Sequence, residues 1–222
     1  MKRRFITLLI PVISLLTACA RNNVRSDIQE FIASFSIDLA ISNYPAARYT
    51  REDISIENNV TSKVVKTMMV DRQNQDDLRY DFTNVTYENN VEKSSVHRYI
   101  EKNNEKYFYV TEDNSMEKTS EQVNDLINTF FYTSSTEGIY TGGMFIGDAF
   151  REILPDIQDL VTIDSENKLL VYSYTNVMSD KEKEVTIKQS VTLDQYGMLV
   201  KEDLKKTSDL GVYETHIEVK KL

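Results

Sequence analysis

Cys19, the single cysteine among 222 residues, is the side chain best suited to covalent chemistry. Its thiol is a potential nucleophile, and it stands directly after Leu-Thr-Ala at the end of an apolar run over residues 5–16. Three cations precede that run, Lys2, Arg3 and Arg4. The run is shorter than the roughly 20 apolar residues that span a bilayer, so the pattern indicates a signal peptide. One cysteine also excludes an internal disulfide and any multi-cysteine metal site.

Residues 16–19, Leu-Thr-Ala-Cys, resemble the lipobox of bacterial lipoproteins, in which an aliphatic residue and two small residues precede the cysteine. The resemblance implies cleavage between Ala18 and Cys19 and attachment of a diacylglycerol to the Cys19 sulfur. It predicts a signal peptide over 1–18, a lipidated tether over 19–27 and a single β-rich globular domain over 28–222. The expected location is the cell membrane, lipid-anchored on its extracytoplasmic side. An ordinary secretory signal that contains a cysteine, or an uncleaved membrane anchor, would be the alternative.

The other residues with catalytic or metal-binding chemistry form no recognisable motif. His97 and His216 are the two histidines, and each falls within a predicted strand, so we expect solvated or cross-strand side chains. Gly142 and Gly147 have the spacing of a phosphate loop, but Asp-Ala follows where that loop requires lysine and a hydroxyl residue. We therefore predict no catalytic residue, cofactor or metal ligand, and a non-enzymatic protein.

Apolar side chains of two predicted helices are the candidates for ligand binding. Methionine and phenylalanine adapt to irregular ligands, so these residues together could line an apolar pocket. The set is Phe130, Phe131, Met144, Phe145 and Phe150. For any one of them, packing in the core is the more frequent role.

The composition of the chain limits the classes of partner that it can bind. Lysine and arginine number 26 against 35 aspartates and glutamates, which gives a net charge of −9. Phosphate contacts need clustered cations, so we expect no nucleic-acid partner. Loss of the signal peptide would make the chain still more acidic, and attachment to an anionic membrane would then rest on the lipid at Cys19. A hydrophobic fraction of 41 % suffices for a packed core.

Alternation of apolar and polar residues predicts strands on both sides of a helical region. The first strands are expected at 31–41, 61–70, 78–87, 94–100 and 106–111, and the later ones at 160–164, 168–178, 184–193, 198–204 and 212–219. Residues 119–131 and 144–153 have helical periodicity. Short polar connections indicate antiparallel neighbours, and Asp-Gln-Tyr-Gly over 194–197 predicts a hairpin turn with Gly197 at positive φ.

This order of strands, two helices and strands resembles the LolA-like family of envelope lipoproteins and lipid carriers, and the hairpin over 191–200 is the best local match. The resemblance implies an α+β fold in which a large curved antiparallel sheet, a half-barrel, is covered on its apolar concave side by about two central helices. The family usually opens with a clear helix, whereas residues 24–31 predict at most a short one.

We therefore expect a membrane-anchored, extracytoplasmic lipoprotein that binds or carries an apolar or amphipathic envelope ligand. Its expected partners are the membrane, through lipidated Cys19, and a lipid or other apolar molecule. The alternative is a protein-interaction or assembly module at the cell surface that uses a strand edge or a sheet face. An envelope hydrolase with an unrecognised site is the third candidate.

Overall fold

The chain forms a large antiparallel sheet together with a few short helices. A computed structural model describes residues 24–71, 78–103, 105–131, 146–180 and 183–222. The sheet has eleven strands, in the lateral order β6-β5-β4-β3-β2-β1-β11-β10-β9-β8-β7, and every neighbouring pair is antiparallel. The predicted large antiparallel sheet is confirmed. The helices are short beside it and less central to the fold than predicted.

The elements follow one another in chain order. Before the helical region lie α1 (Ser26–Ile32), α2 (Ile37–Asn43), β1 (Ala46–Glu57), β2 (Val60–Asp71), β3 (Arg79–Glu88), β4 (Val91–Asn103), β5 (Lys106–Val110) and β6 (Ser115–Lys118). Then come α3 (Ser120–Phe131), α4 (Gly147–Ile157), a 3-10 turn (Gln158–Leu160), β7 (Val161–Asp164), β8 (Leu169–Asp180), β9 (Lys183–Asp194), β10 (Leu199–Ser208) and β11 (Gly211–Lys221). Among the described residues, no helix combines the length and apolar character needed to cross a membrane.

The predicted strand over residues 31–41 is wrong, because helices α1 and α2 occupy this segment. Ile28 and Phe35 are buried, and Phe31 packs edge-on against Phe35 with 6.1 Å between ring centroids. Ile28 and Phe31 are three residues apart within α1, the spacing of one helical face, and Phe35 lies in the link between α1 and α2. Ile37 and Leu39, whose alternation suggested a strand, are about half exposed, at 51 % and 50 %. Burial of the aromatic pair therefore decides the local structure over the period of two.

The alternation did not predict strand β1, although β1 lies in the middle of the sheet between β2 and β11. Tyr49 is buried, and Arg51 and Asp53 follow it at alternate positions on the same face. Polar residues thus occupy positions that a simple reading assigns to apolar ones. The four-residue strand β6 was also not predicted.

Hairpin turns connect the long strands and determine their register. Asn58 and Asn59 have φ values of 49° and 64°, as have Asn89 and Asn90, so each pair forms a two-residue turn with both residues left-handed. Asparagine tolerates this conformation better than most residues. Gly197 has a φ of 86°, which confirms the predicted turn between β9 and β10.

The register identifies which side chains share a face, because directly opposed residues of antiparallel strands point to the same side. One row crosses seven strands and consists of Val191, Glu202, Ile217, Arg51, Lys66, Asn84 and Val96. Residues two positions away along each strand share that face. We call it the cluster face, because it carries the sheet residues of both hydrophobic clusters.

The first hydrophobic cluster joins α1, α4 and the later strands, and its buried members include Ile28, Phe35, Phe150, Leu154, Leu170, Val191, Leu193 and Ile217. The second joins α3 and the earlier strands, and its members include Tyr49, Met68, Val70, Phe82, Ile100 and Val123. The Arg151 guanidinium of α4 donates to the carbonyl oxygens of Ile32 and Phe35 at 2.8 and 2.7 Å. It thereby ties the link between α1 and α2 to α4.

Candidate functional site

Phe150 is the one apolar candidate whose side chain the structure describes. It is fully buried in the first cluster and packs edge-on against Tyr172, with 6.4 Å between ring centroids. Phe150 is therefore a core residue of the fold, and a contact with a ligand stays a prediction. The other predicted site residues lie outside the described side chains: Ala18, Cys19, Phe130, Phe131, Met144 and Phe145.

Both histidines pair with a carboxylate on a neighbouring strand, as expected. His97 Nε2 on β4 lies 3.3 Å from Asp81 Oδ1 on β3, and His216 Nδ1 on β11 lies 2.8 Å from Asp203 Oδ1 on β10. The structure does not bring the two histidines together. Within the described ranges, no group of three or more His, Cys, Asp or Glu residues could hold a metal ion.

A band of polar side chains crosses the cluster face between its apolar regions. At one end, Gln189 Nε2 donates to Glu202 Oε1 at 2.8 Å, and these side chains are only 3 % and 1 % exposed. A buried carboxylate is costly unless it is hydrogen-bonded, so this contact offsets part of the cost of its burial. Polar residues such as Gln189 and Glu202 were not predicted from the sequence to lie on the buried face of the sheet.

The centre of the band is an ion pair with additional hydrogen bonds. Arg51 Nε lies 2.8 Å from Asp53 Oδ2, and Arg51 Nη2 donates to Asp53 Oδ1 at 2.8 Å. The hydroxyls of Thr215 and Tyr213 donate to the same Oδ1 at 2.8 and 3.1 Å. The Asp53 carboxylate thus compensates the largely buried guanidinium of Arg51 and collects donors from β1 and β11.

Lys66 lies next to this pair and is placed less favourably. In the register it stands directly opposite Arg51 on one side and Asn84 on the other. Burial and the Arg51 charge lower the pKa of Lys66 below its ordinary value of 10.5, although Asp53 acts in the opposite sense. Like charges directly opposed in a sheet repel. The surroundings of Lys66 therefore destabilise the charged form of its side chain.

A cavity of about 260 Å³ opens beside Lys66, between the cluster face and α3. We call it the α3 cavity, and its described lining comprises Lys66, Phe82, Asn84, Val96, Arg98, Tyr109 and Leu126. Arg98 Nη1 donates to the Tyr109 hydroxyl at 3.1 Å. The Oδ1 atom of Asn84 is buried and has no hydrogen-bond partner among the described residues. The cavity thus combines apolar walls with two cations and an unsatisfied acceptor.

A second space is larger but less suited to recognition. It is an open groove of about 620 Å³ beside α1 and β7, whose lining includes Arg25, Asp27, Phe31 and Lys168. Arg25 and Asp27 already pair with each other at 2.6 Å, and both side chains are about half exposed. The paired charges and the solvent access make the α3 cavity the better candidate.

The α3 cavity residues were not predicted, although β2 carries a signal. Val64, Lys66, Met68 and Val70 alternate along one face, and the lysine is the one charged residue in that series. A charge at an inward position of an amphipathic strand marks either a strand edge or a polar site. Only the register with β1 and β3 shows that Lys66 lies inside the sheet.

The comparisons with known proteins place this chain in no family. No protein-family model matches it, and no curated protein matches it. Among solved structures, it is similar to a beta-barrel-like protein of the domain of unknown function DUF1849 from Brucella abortus. That similarity has a TM-score of 0.25 and 9 % sequence identity, and it covers 81 % of this chain and 99 % of the other.

Proposed function

We propose that the protein is a non-enzymatic lipoprotein of the bacterial envelope that binds an amphipathic ligand in the α3 cavity. The observation that carries this proposal is the mixed lining of that cavity. Phe82, Val96 and Leu126 offer apolar surface, and Lys66 and Arg98 lie beside them. Ligand sites typically combine an apolar lining with a few polar groups that orient the ligand.

The proposal includes a finer description of the architecture, a curved half-barrel whose concave side is covered by α3 and α4. Support comes from the register, which places the sheet residues of both hydrophobic clusters on one face. Val123 of α3 belongs to the second cluster and Phe150 of α4 to the first. Two helices packed on one face of a wide sheet leave room for a cavity between them and the strands.

The size of the α3 cavity limits what can enter it. Small-molecule sites usually measure about 300–1,000 Å³, and this cavity, at about 260 Å³, lies just below that range. We therefore propose that a head group or a short chain segment inserts and that the rest of the ligand stays outside. Such partial insertion suits a protein that takes molecules from a membrane surface.

Native mass spectrometry of the purified full-length protein tests the proposal, since a bound lipid would appear as added mass that solvent extraction removes. Val96→Trp should fill the cavity and abolish that mass. Val91→Trp is the matched control, because Val91 is on the same strand, 60 % exposed and outside the cavity lining. Equal ligand content in both variants would show that the ligand does not bind in the α3 cavity.

The membrane anchor is a separate part of the proposal and has its own test. Cys19→Ala should leave an unprocessed precursor or release the protein from membranes, because no thiol would remain for acylation. Fractionation and intact mass of the cellular protein report both outcomes. Unchanged mass and unchanged fractionation would overturn the lipoprotein assignment and leave the cavity proposal standing.

A protein-interaction module is the alternative function, and one strand edge favours it. Residues 91–98 of β4 are all exposed and pair with β3, while β5 pairs with β4 from Tyr99 onward. Among the described residues, this stretch therefore has a free edge, which can accept a further strand. Val96 belongs to both this edge and the cavity lining, so a substitution there does not separate the two functions. Lys93→Pro, on the same exposed stretch and outside the lining, should abolish binding of such a partner and leave the ligand content unchanged.

A further inference from the structure

The α3 cavity has a charge opposite to that of the whole chain. Its described lining residues include two cations, Lys66 and Arg98, and no aspartate or glutamate. The protein as a whole has a net charge of −9. A local excess of positive charge attracts anions and repels cations, so the charge of this lining favours an anionic ligand.

The placement of Lys66 is the second observation. Its nearest cross-strand neighbour Arg51 is itself paired with Asp53, whose oxygens also accept hydrogen bonds from two hydroxyls. Burial and Arg51 hold the pKa of Lys66 below its ordinary value. An anion in the cavity would stabilise the ammonium and offset that cost, because an opposite charge at short range favours the charged form.

Asn84 supplies the third observation. It stands directly opposite both Lys66 and Val96 in the register, so its amide lies between the cationic and apolar parts of the lining. Its Oδ1 is buried and has no partner among the described residues, and such an acceptor is costly unless a donor reaches it. A hydroxyl group on the ligand would provide that donor.

We infer that the α3 cavity binds the head group of an anionic amphiphile, a phosphate ester that carries a hydroxyl, with Lys66 and Arg98 contacting the phosphate and Asn84 the hydroxyl. This inference rests on the proposed function and specifies its ligand class. Phe82, Val96 and Leu126 would contact the first carbons of the chain. The same head-group chemistry occurs in anionic glycerophospholipids and in soluble glycerol phosphates, and the apolar lining favours the lipid.

Calorimetric titration of the purified full-length protein with three probes tests the inference. The probes are dihexanoyl phosphatidylglycerol, dihexanoyl phosphatidylcholine and glycerol 3-phosphate, with both lipids below their micelle concentrations. We expect the phosphatidylglycerol to bind about threefold to tenfold more tightly than the phosphatidylcholine, because both carry the phosphate and only phosphatidylglycerol offers Asn84 a hydroxyl donor. Glycerol 3-phosphate should bind more weakly than phosphatidylglycerol, because it lacks the chains.

Variants assign the discrimination to the cavity. Lys66→Gln and Arg98→Gln should each weaken the binding of both lipids by about tenfold or more, because both lipids carry the phosphate. Asn84→Ala should remove most of the preference for phosphatidylglycerol, because only that lipid offers a head-group hydroxyl. Lys63→Gln is the matched control on β2, since it removes the same charge from the opposite face, where Lys63 contacts Glu52 and Tyr87. Thermal melting of each variant confirms that it is folded.

The outcomes separate the inference from the proposed function. If both lipids bind with equal affinity and Val96→Trp abolishes the binding of both, the inference of an anionic head group is overturned. The proposed function, binding of an amphipathic ligand in the α3 cavity, would then still stand. If glycerol 3-phosphate binds as tightly as phosphatidylglycerol, the inference that the ligand is an amphiphile is overturned. If Lys63→Gln weakens the binding of both lipids as much as Lys66→Gln does, overall charge and not the cavity attracts the phosphate, and the inference would also be overturned.

Discussion

Phe150→Ala tests whether this phenylalanine stabilises the fold or lines a ligand site. Phe150 is fully buried on α4 and contacts Tyr172 of β8 edge-on. It belongs to the cluster that joins α1, α4 and the later strands, so its removal leaves a cavity bounded by several elements. The substitution should therefore destabilise the protein without changing the ligand binding proposed for the α3 cavity, whose lining does not include Phe150.

The expected loss of stability follows from the burial of the ring. Truncation of a buried phenylalanine to alanine costs about 3–5 kcal/mol, and this range includes the cavity that remains. The higher helix propensity of alanine returns roughly 0.5 kcal/mol within α4. In a domain of this size, 1 kcal/mol corresponds to roughly 2–4 °C in Tm, so we expect the net loss to lower Tm by about 5–18 °C.

Thermal unfolding followed by circular dichroism measures the change, and native mass spectrometry measures bound ligand in the same preparations. Phe31→Ala is the control, because Phe31 is only half-buried at the margin of the same cluster and should cost clearly less. A Tm within about 2 °C of the parent, together with loss of ligand, would refute the assignment of Phe150 to the core.

Three further predictions concern turns and surface charge. Gly211→Ala should cost about 1–3 kcal/mol in urea unfolding, because φ is 153° and an added Cβ would lie 2.2 Å from the Ile56 carbonyl oxygen. Asp194→Ala should cost roughly 2–3 kcal/mol by the same measurement, because Oδ1 accepts two backbone N–H groups of the turn at 2.9 and 3.0 Å. The hydrogen bond from Lys205 lowers the pKa of Glu214 below 4.5, so its stabilising contribution is present above that pH and is lost as pH falls through the folded-state pKa. Lys205→Met should flatten this part of the dependence of Tm on pH, and an unchanged profile would contradict the coupling.

Most strands could be predicted because their cause is local. Residues 184–193 and 212–219 alternate apolar and polar side chains, and β9 and β11 form there. The error at residues 31–41 arose because the same residues fit two periods. Contacts of Phe31 and Phe35 within the first cluster, which involve residues more than 100 positions away, select the helix.

The α3 cavity could not be predicted in the same way, because its residues are brought together by register. Lys66, Asn84 and Val96 come from three successive strands, and the pairing of β2 with β3 and of β3 with β4 places them in one row. The Asn89-Asn90 turn joins the strands of Asn84 and Val96. Leu126 joins them from α3. A shift of one residue in any of these pairings would turn the affected side chains to the opposite face.

The sequence by itself determined the candidate signal peptide with its single cysteine, the acidic character of the chain and the dominance of antiparallel strands, since each follows from residue type or short-range spacing. The tertiary structure decided that β1 lies beside β11, with β6 and β7 at opposite edges, and that Lys66, Asn84 and Arg98 line one cavity. These features depend on contacts between residues distant in the chain. Such contacts form only when burial and hydrogen bonding across the whole sheet outweigh the entropy of closing the long loops.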